Sequence, residues 1–271
     1  MSSKPDTRTS QPCDGRVAIS VVSHAQGHML KLLIDDLERY CRHESLELIV
    51  TLNVGEILPF TPESRLFPIR IITNDAPKGF ASNHNAASVL ASNHARYICI
   101  LNPDIRLSMN PFPALKYVLQ DKGVALAAPA VVTPTGELSD SARRVPTPMR
   151  LLRRYAKRSA GRPECLAYPS GTDPEWVAGM CMVARLPTFR ELRGFDERYR
   201  LYVEDVELCL RARHLGYRIA LVAEAEVIHP AQRDSHRRTG YMLRHIQSLA
   251  RFYFSRTYFQ YLLRRNGRKR A

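Results

Sequence analysis

The chain has 271 residues, of which 45% are hydrophobic, so it is long enough and apolar enough to bury a sizeable core. It contains 40 basic and 26 acidic residues, and its formal net charge is +14. No apolar run reaches the ~18 to 20 residues of a membrane span, and residues 1–15 lack the apolar core of a signal peptide. These features argue against a membrane-spanning protein, and we expect a cytoplasmic one.

The basic residues are concentrated in two segments. Residues 233–271 contain eleven Lys or Arg and one acidic residue, and residues 143–162 contain eight basic residues and no acid. Such segments favour contact with phosphates or anionic lipid, although a solvated surface explains them equally well. The six cysteines are scattered without a CxxC pair, so neither a disulfide framework nor a zinc site is indicated.

Buried strands alternate with helical segments along the first half of the chain, after a tail at residues 1–15 that we predict to be disordered. The predicted strands are RVAISVV, LELIVTLNV, IRIITN and YICILNPDI, and the predicted helices are MLKLLIDDLERYCR and ASNHNAASVLASNHA. This alternation is typical of a mainly parallel sheet wound by crossover helices.

The pattern changes in the second half. A helix and the apolar run VALAAPAVV lead to residues 133–172, whose Pro, Ser, Gly and Arg content predicts a long, partly mobile excursion. Regular structure returns with EWVAGMCMVARL, predicted as one strand, then a helix capped by Gly216 and the strand RIALVAEAEVIHP. Residues 233–271 predict a basic amphipathic helical segment, which suits either an anionic membrane surface or packing on the core with a solvated basic end.

Three acidic or histidine positions stand at the ends of predicted elements. Asp104 follows a buried strand that Pro103 terminates, and His229 ends another strand in the same way. Because open α/β sheets bind ligands at the carboxyl edge, the two could share one hydrated divalent ion. Glu204 and Asp205 begin a helix, where they act either as helix caps or as a general base at a cleft.

The order of the motifs SVVSH, NDAPKGFASNHN, LNPDI, WVAGMCMV, GFDERYRLYVEDVELCLR and VIHP resembles the family 2 glycosyltransferases. Within them the chain is most similar to bacterial rhamnosyltransferase-like enzymes of cell-surface polysaccharide synthesis. The resemblance covers residues 16–255 and implies an α/β fold of the GT-A type, in which a mainly parallel sheet with a mixed C-terminal half binds a nucleotide-sugar.

The resemblance also implies roles for individual residues. Asp205 is the expected catalytic base of an inverting displacement, with Glu204 beside it. Asp104 and His229 are expected to hold Mg or Mn at the diphosphate, although Asn102 replaces the usual first Asp of the family and lowers the negative charge offered to the ion. The positions that match the donor-binding residues are Ser23, His24, Asn53, Asn74, Gly79, Asn83, Asn85, Asn102, Asp104, Trp176 and Gly179.

One departure concerns the nucleoside. Many members of the family have Asp-Asn after the second strand, whereas this chain has Leu52-Asn53. A carboxylate that reads the base is therefore missing, and the sequence favours neither uridine nor thymidine.

These observations predict a domain organisation and a function. The expected units are a disordered tail at 1–15, a GT-A domain at 16–232 with a donor half at 16–132, the basic excursion at 133–172 and an acceptor half at 173–232, and a basic helical segment at 233–271. The expected activity is transfer of a sugar, rhamnose by resemblance, from a nucleotide-sugar to a lipid-linked or polysaccharide acceptor at the inner membrane face.

Three alternatives remain open at this point. A nucleotidyltransferase can use a related sheet and an acidic metal site, and an inactive scaffold could keep the fold without turnover. The sequence pI of about 9.8 also suggests a nucleic-acid binder. We do not expect nucleic acid as a partner, since that function leaves LNPD, YVEDVE and VIHP unexplained.

Overall fold

In this computed structural model, residues 15–159, 173–230 and 239–267 are described, and they contain nine β-strands and eight α-helices. The strands are β1 (Arg16–Ser23), β2 (Leu46–Leu52), β3 (Ile69–Thr73), β4 (Ala95–Leu101), β5 (Val124–Val132), β6 (Ala142–Arg143), β7 (Trp176–Val177), β8 (Cys181–Arg185) and β9 (Arg218–Ile228). The helices are α1 (Gly27–Tyr40), α2 (Phe80–Leu90), α3 (Phe112–Val118), α4 (Pro148–Ser159), α5 (Leu186–Glu191), α6 (Glu204–His214), α7 (Thr239–Tyr253) and α8 (Arg256–Gly267).

Seven of these strands form one sheet in the order β3-β2-β1-β4-β8-β5-β9. Every neighbouring pair is parallel except the two pairs that β8 makes with β4 and β5. The carboxyl ends of the six other strands therefore lie at one edge, and β8 enters the sheet from that edge. This arrangement confirms the predicted mainly parallel sheet with a mixed C-terminal half.

Helices cover both faces of the sheet because its strands are apolar on both sides. All residues of β2 and β5 are buried, as expected for strands between two helical layers. One core contains buried side chains of α1 and α3, and the other contains those of α2, α5, α6, α7 and α8. The four described cysteines, Cys41, Cys99, Cys181 and Cys209, are buried free thiols.

Two segments differ from the sequence prediction. The stretch EWVAGMCMVARL contains two strands instead of one, because the chain turns at residues 178–180 between β7 and β8. The excursion contains regular structure, since β6 pairs with β7 as a second, two-stranded sheet and α4 follows it. Residues 160–172 of the excursion and the tail at 1–14 lie outside the described residues.

The C-terminal part of the described chain forms two helices that pack on the core. Phe252 of α7 and Tyr258 and Tyr261 of α8 are buried in the same core as α6. Across the described residues, none of the helices combines the length and the apolar character needed to cross a bilayer.

Candidate functional site

Five residues named from the sequence lie at the carboxyl edge of the sheet. Ser23, Asn53, Asn74 and Asn102 are the last residue of β1 or directly follow β2, β3 and β4, and His229 directly follows β9. Their positions result from the parallel topology, which brings the ends of distant strands to one side of the molecule.

Asp104 and His229 form a direct contact although 125 residues separate them in sequence. The His229 Nε2 atom is 3.2 Å from the Asp104 Oδ2 atom, and both side chains are largely buried. The second carboxylate oxygen of Asp104, Oδ1, is buried and has no hydrogen-bond partner among the described residues. The structure therefore brings together the two residues predicted to share an ion.

A side-chain clamp holds the turn that carries Asp104. Arg106 exchanges two backbone hydrogen bonds of 2.8 Å with Ile228, so the turn is joined to the end of β9 beside His229. The Arg106 guanidinium donates to both carboxylate oxygens of Asp36 on α1, at 2.6 and 2.9 Å, and the Leu107 amide donates to the same carboxylate at 3.0 Å. Asp36 is thus linked to the Asp104–His229 pair through Arg106.

The acidic pair of α6 lies next to the same turn. The backbone N–H of Gly179 donates to Asp205 Oδ2 at 3.0 Å, and the next residue, Met180, accepts a 2.9 Å hydrogen bond from the Asn102 amide. Asp205 is partly exposed, and its Oδ1 also accepts a hydrogen bond from the Val206 amide. The two predicted acidic sites are therefore separated by only a short length of backbone.

Glu204 has a different environment from Asp205. Its side chain is 4% exposed, and its Oε2 atom is buried without a hydrogen-bond partner in the described part of the chain. Burial and the adjacent Asp205 carboxylate raise the pKa of Glu204 to about 8. Burial also raises the pKa of Asp205, but the Gly179 and Val206 amides and the Arg143 guanidinium oppose that shift.

The backbone just before this pair is strained. Tyr202 and Val203 have φ angles of 69° and 75°, a region that bulky and β-branched residues rarely adopt. Contacts from α7 hold the segment, since Ser248 Oγ donates to the Leu201 carbonyl at 2.9 Å and the His245 ring stacks on Tyr202. Strain of this kind is frequent at functional sites.

The predicted donor amides form a connected cluster. Asn74 Nδ2 donates to Asn53 Oδ1 at 2.9 Å and to Asn83 Oδ1 at 2.8 Å. Asn53 also bonds to the backbone of Lys78 in both directions and contacts His24. These amides mainly bond to one another and fix the 75–79 loop, in which the Lys78 side chain is exposed, as is His24. Direct contact of the amides with a donor stays a prediction.

The close approach at Gly79 is made by protein backbone. A Cβ atom at this position would lie 2.7 Å from the Arg200 carbonyl oxygen, which also accepts the Phe80 amide at 3.0 Å. The missing side chain lets this loop pack against the segment that leads to α6, and a donor-binding role for Gly79 stays a prediction. At the end of β1, Ser23 Oγ accepts the Gln26 amide.

Two further predicted residues are engaged elsewhere. Asn85 exchanges hydrogen bonds with the Phe195 backbone and donates to Glu197, so its amide holds the 194–197 loop and does not join the cluster. Trp176 is 7% exposed, and its Nε1 donates to the Arg144 carbonyl at 3.0 Å. Whether either residue meets a donor or acceptor stays a prediction.

Sequence reasoning missed Arg143 and the Asp36–Arg106 clamp. The Arg143 guanidinium lies 5.3 Å from the Trp176 ring centroid, and its positive charge opposes the rise that burial causes in the pKa of Asp205. In the sequence, the only indication of a role for Arg143 was its position in the basic segment at residues 143–162. Asp36 sits in the middle of an ordinary amphipathic helix, and nothing in its sequence context signals the link to Arg106.

The residues at this edge fit a divalent cation that takes most of its coordinating atoms from a bound substrate and from water. Asp104 offers an orphaned carboxylate oxygen and His229 an imidazole, which are suitable ligands for Mg²⁺ or Mn²⁺. Within the described ranges no cluster of three or more His, Cys, Asp or Glu side chains could hold a metal. The protein would therefore contribute two ligands, and substrate oxygens and water the rest.

Curated relatives support one enzyme class. The chain is 28% identical over 229 residues to the rhamnosyltransferase WbbL of Escherichia coli K12, a match that covers 81% of this chain and 85% of WbbL. It is 32% identical over 143 residues to the N-acetylglucosaminyl-diphospho-decaprenol L-rhamnosyltransferase of Mycobacterium tuberculosis, covering 49% of this chain and 46% of that protein. The chain thus spans most of the first relative and about half of the second. No protein-family model matches the sequence.

Solved structures show the fold. The mannosyltransferase PcManGT of Pyrobaculum calidifontis, in complex with GDP-Man and Mn²⁺, superposes with a TM-score of 0.60 at 16% identity, covering 92% of this chain and 68% of that protein. GalNAc-T7 with UDP, GalNAc and Mn²⁺ also gives 0.60, at 14% identity, with 79% of this chain and 43% of GalNAc-T7 covered. Both neighbours have the GT-A architecture.

Fold, site and relatives agree on a class, and the chain is a GT-A glycosyltransferase. Within that class its sequence is similar to rhamnosyltransferases, with 28% identity to one and 32% to the other. Its activity is therefore sugar transfer in glycan synthesis, as the resemblance in the motifs implied.

Proposed function

We propose that the chain transfers a single sugar from a nucleoside-diphosphate sugar to a lipid-linked acceptor, with inversion at the anomeric carbon. Asp205 is the base, and Asp104 and His229 bind the diphosphate end of the donor. By likeness to the two relatives, the sugar is rhamnose and the acceptor carries its glycan on a lipid diphosphate. The enzyme would then work at the inner membrane face.

One observation carries the proposal. Met180 accepts the Asn102 amide, and its neighbour Gly179 donates to Asp205, so one short backbone segment contacts both the Asp104 turn and the base. A Cβ atom at Gly179 would also lie 3.2 Å from the Phe80 ring at the end of the donor loop. This convergence supports a reaction centre in which a leaving group at Asp104 and an acceptor at Asp205 flank one sugar.

The proton transfer is assigned to Asp205 because of its exposure and its hydrogen bonds. The acceptor hydroxyl oxygen forms a bond to the anomeric carbon, the bond from that carbon to the diphosphate oxygen breaks, and the hydroxyl proton passes to the Asp205 carboxylate. Backbone N–H donors fix the carboxylate and favour its ionised form. Glu204 is buried, and with its pKa raised to about 8 it is mostly protonated near neutral pH, so it is less available to accept a proton.

The departing nucleoside diphosphate gains negative charge, which the site must stabilise. Lys78 lies exposed in the loop fixed by Asn53, where its ammonium can approach the diphosphate. A divalent ion on Asp104 and His229 would supply further positive charge to the same group. The Arg106 clamp keeps Asp104 and His229 in position for this purpose.

Replacing Asp205 by Asn tests the base. The variant keeps an acceptor for the Gly179 amide but cannot take a proton, so we expect kcat to fall by about 100- to 10,000-fold while nucleotide binding changes little. Transfer is measured as released nucleoside diphosphate, with binding followed by calorimetry. Turnover near the native rate would remove Asp205 from the role, and release of pyrophosphate from a nucleoside triphosphate would instead identify a nucleotidyltransferase.

The metal is tested separately through Asp104. We expect Mn²⁺ to strengthen binding of a nucleoside diphosphate to the native chain, and to have much less effect on Asp104→Asn. The Glu226→Gln variant, which alters a carboxylate within β9, is the matched control and should respond to Mn²⁺ like the native chain. Binding that is equally tight with Mn²⁺ and with a chelator would contradict the shared ion.

A further inference from the structure

Helix α7 has apolar side chains on two opposite faces. Its inner face places Phe252 in the core at 0% exposure. At about 100° per residue, Leu243, Ile246, Ala250 and Phe254 fall within an arc of about 80° on the other side. Phe254 belongs to this outer stripe because its amide still bonds to the Ala250 carbonyl, at 3.2 Å.

The outer stripe faces solvent. Leu243 and Ile246 are 58% and 56% exposed, and Phe254, at the junction with α8, is 93% exposed. Helix α8 also has exposed apolar side chains, since Phe259 and Leu263 are one turn apart and 61% and 57% exposed. Exposed apolar patches, especially ones rimmed by polar residues, mark interaction surfaces of proteins. We call the side chains of Leu243, Ile246, Phe254, Phe259 and Leu263 the outer apolar face.

The charged side chains on α7 and α8 have one sign. Arg244, Arg251 and Arg256 are exposed on the same two helices. Residues 239–267 contain no Asp or Glu. On the helical projection Arg244 and Arg251 lie beside the apolar stripe of α7, as in helices that rest in the plane of an anionic bilayer.

We propose that the outer apolar face docks on an anionic lipid surface. Its leucines, isoleucine and phenylalanines would enter the boundary between headgroups and acyl chains, while the arginines pair with lipid phosphates. This inference rests on the proposed function in one respect, since a lipid-linked acceptor lies in such a surface. It goes further by naming the side chains that meet the lipid and the charge that the lipid must carry.

The inner face of α7 contacts the segment that precedes Glu204 and Asp205, so the outer apolar face and the candidate active site lie on opposite sides of the same helix. His245 stacks on Tyr202 with 4.9 Å between ring centroids, and Ser248 donates to Leu201. These contacts hold the segment that leads directly into Glu204 and Asp205. An α-helix is about 10 Å wide, so a bilayer on the outer face lies about one helix diameter from that segment. An acceptor sugar near the headgroups would then be close to the base.

Vesicle flotation of the full chain tests the proposal. We expect the native chain to float with phosphatidylcholine vesicles that contain phosphatidylglycerol, and to bind pure phosphatidylcholine much more weakly. Leu243→Ser/Phe254→Ser should reduce the bound fraction by about tenfold, because both side chains lose their apolar contact. The matched variant Leu66→Ser/Val89→Ser changes apolar residues that are 55% and 75% exposed elsewhere and should bind normally.

A variant that removes positive charge separates the electrostatic contribution to vesicle binding from the apolar contribution. Arg244→Gln/Arg251→Gln should lose most of the dependence on phosphatidylglycerol, whereas Arg42→Gln/Arg96→Gln, which alters exposed arginines elsewhere, should keep it. Circular dichroism and a thermal melt of each variant confirm that it is folded. Equal flotation of the native chain and the Leu243/Phe254 variant would overturn the proposal.

Other outcomes have distinct meanings. A concentration-dependent dimer that the Leu243/Phe254 variant abolishes would assign the face to a second copy of the chain, and so reject lipid docking. A native chain that transfers sugar to a water-soluble acceptor but does not float refutes docking alone. A chain that floats but binds no nucleotide-sugar refutes the proposed function and leaves the docking surface intact.

Discussion

The adjacent carboxyl groups of Glu204 and Asp205 at the start of α6 have different environments, and this difference favours different protonation states for the two groups. Glu204 is buried with an unpaired oxygen, whereas Asp205 is partly exposed and accepts two backbone N–H groups. With its pKa near 8, Glu204 is mostly protonated at neutral pH and places little negative charge beside Asp205. A neutral Glu204 would thereby help Asp205 to ionise, as the proposed role of Asp205 as base requires.

The raised pKa of Glu204 predicts a pH-dependent stability. Below pH 4.5, its ordinary pKa, the carboxyl is protonated in the folded and unfolded states alike. Between 4.5 and about 8 only the unfolded state ionises, so the free energy of unfolding falls as pH rises through this window. Because Gln does not ionise, Glu204→Gln should remove this part of the fall and gain stability relative to the native chain at pH 8.

Thermal melts at pH 5 and pH 8.5 measure the effect. For a chain of this size each kcal/mol corresponds to about 2–4 °C in Tm, so the difference between variant and native Tm should increase by several degrees towards high pH. Glu63→Gln, an acidic residue on the surface 3-10 turn Pro62–Ser64, is the control and should show no such change. A pH-independent difference for Glu204→Gln would mean that Glu204 is ionised in the folded protein.

For single residues, the sequence predicted their location at the sheet edge better than the residues they contact. Asp104 and His229 were recognisable because each follows a buried strand and precedes a chain break, and parallel topology places such residues at one edge. Asn85 and Gly79 follow no such rule, because their partners Phe195 and Arg200 are more than 100 residues away. Tertiary contacts of this kind cannot be inferred from local pattern.

Among structural elements, the turn from β4 depends on helix α1. Asp36 is 7% exposed and accepts three hydrogen bonds, two from Arg106 and one from the Leu107 amide. We predict that Asp36→Asn loosens this turn and weakens Mn²⁺-dependent nucleotide binding by about tenfold, as substitutions behind a metal ligand typically do. Asp36 is a positioning residue, so KM should rise more than kcat falls.

A second ion pair provides the control for a general loss of stability. Glu44 binds Lys116 of α3 and Asn110 in the same helical layer, but neither contact reaches the Asp104 turn. Glu44→Gln and Asp36→Asn should each lower the free energy of unfolding by about 1–3 kcal/mol. Only Asp36→Asn should weaken Mn²⁺-dependent binding, measured by calorimetry well below both melting temperatures. An equal loss in the two variants would reduce Asp36 to a structural role.

Strand and helix patterns predicted most elements of the sheet, and the exceptions have physical causes. The first four strands and their helices were readable because buried apolar runs alternate with amphipathic ones. The break between β7 and β8 was not readable, since residues 176–184 carry no charged or turn-forming polar side chain and the turn depends on contacts of Gly179 with Asp205 and Phe80. Helix α4 was missed because the Pro, Ser, Gly and Arg content of residues 133–172 predicted an irregular excursion as a whole, and of its described residues only Pro148–Ser159 are helical.

At the scale of the whole molecule, the C-terminal helices α7 and α8 complete one of the two hydrophobic cores. Tyr261 of α8 donates to Glu175 and contacts Arg150 of α4, and Thr257 donates to Glu207 of α6. The sequence left two interpretations of this segment open, core packing and a membrane surface. The inner sides of α7 and α8 pack on the core, and the outer side is the face proposed for lipid, so one segment can serve both purposes.

Adjacent residues of α8 allow the two roles to be separated. Tyr258 is 6% exposed and packs against the rings of Phe252, Tyr253 and Tyr261, whereas Phe259 is 61% exposed. Tyr258→Ala should lower the free energy of unfolding by about 3 kcal/mol, since it removes a buried aromatic ring. Phe259→Ala should change it by less than about 0.5 kcal/mol, as is usual for exposed positions. Urea unfolding followed by circular dichroism measures both values. If Tyr258→Ala proved as stable as Phe259→Ala, the C-terminal helices would be an appendage of the domain instead of part of its core.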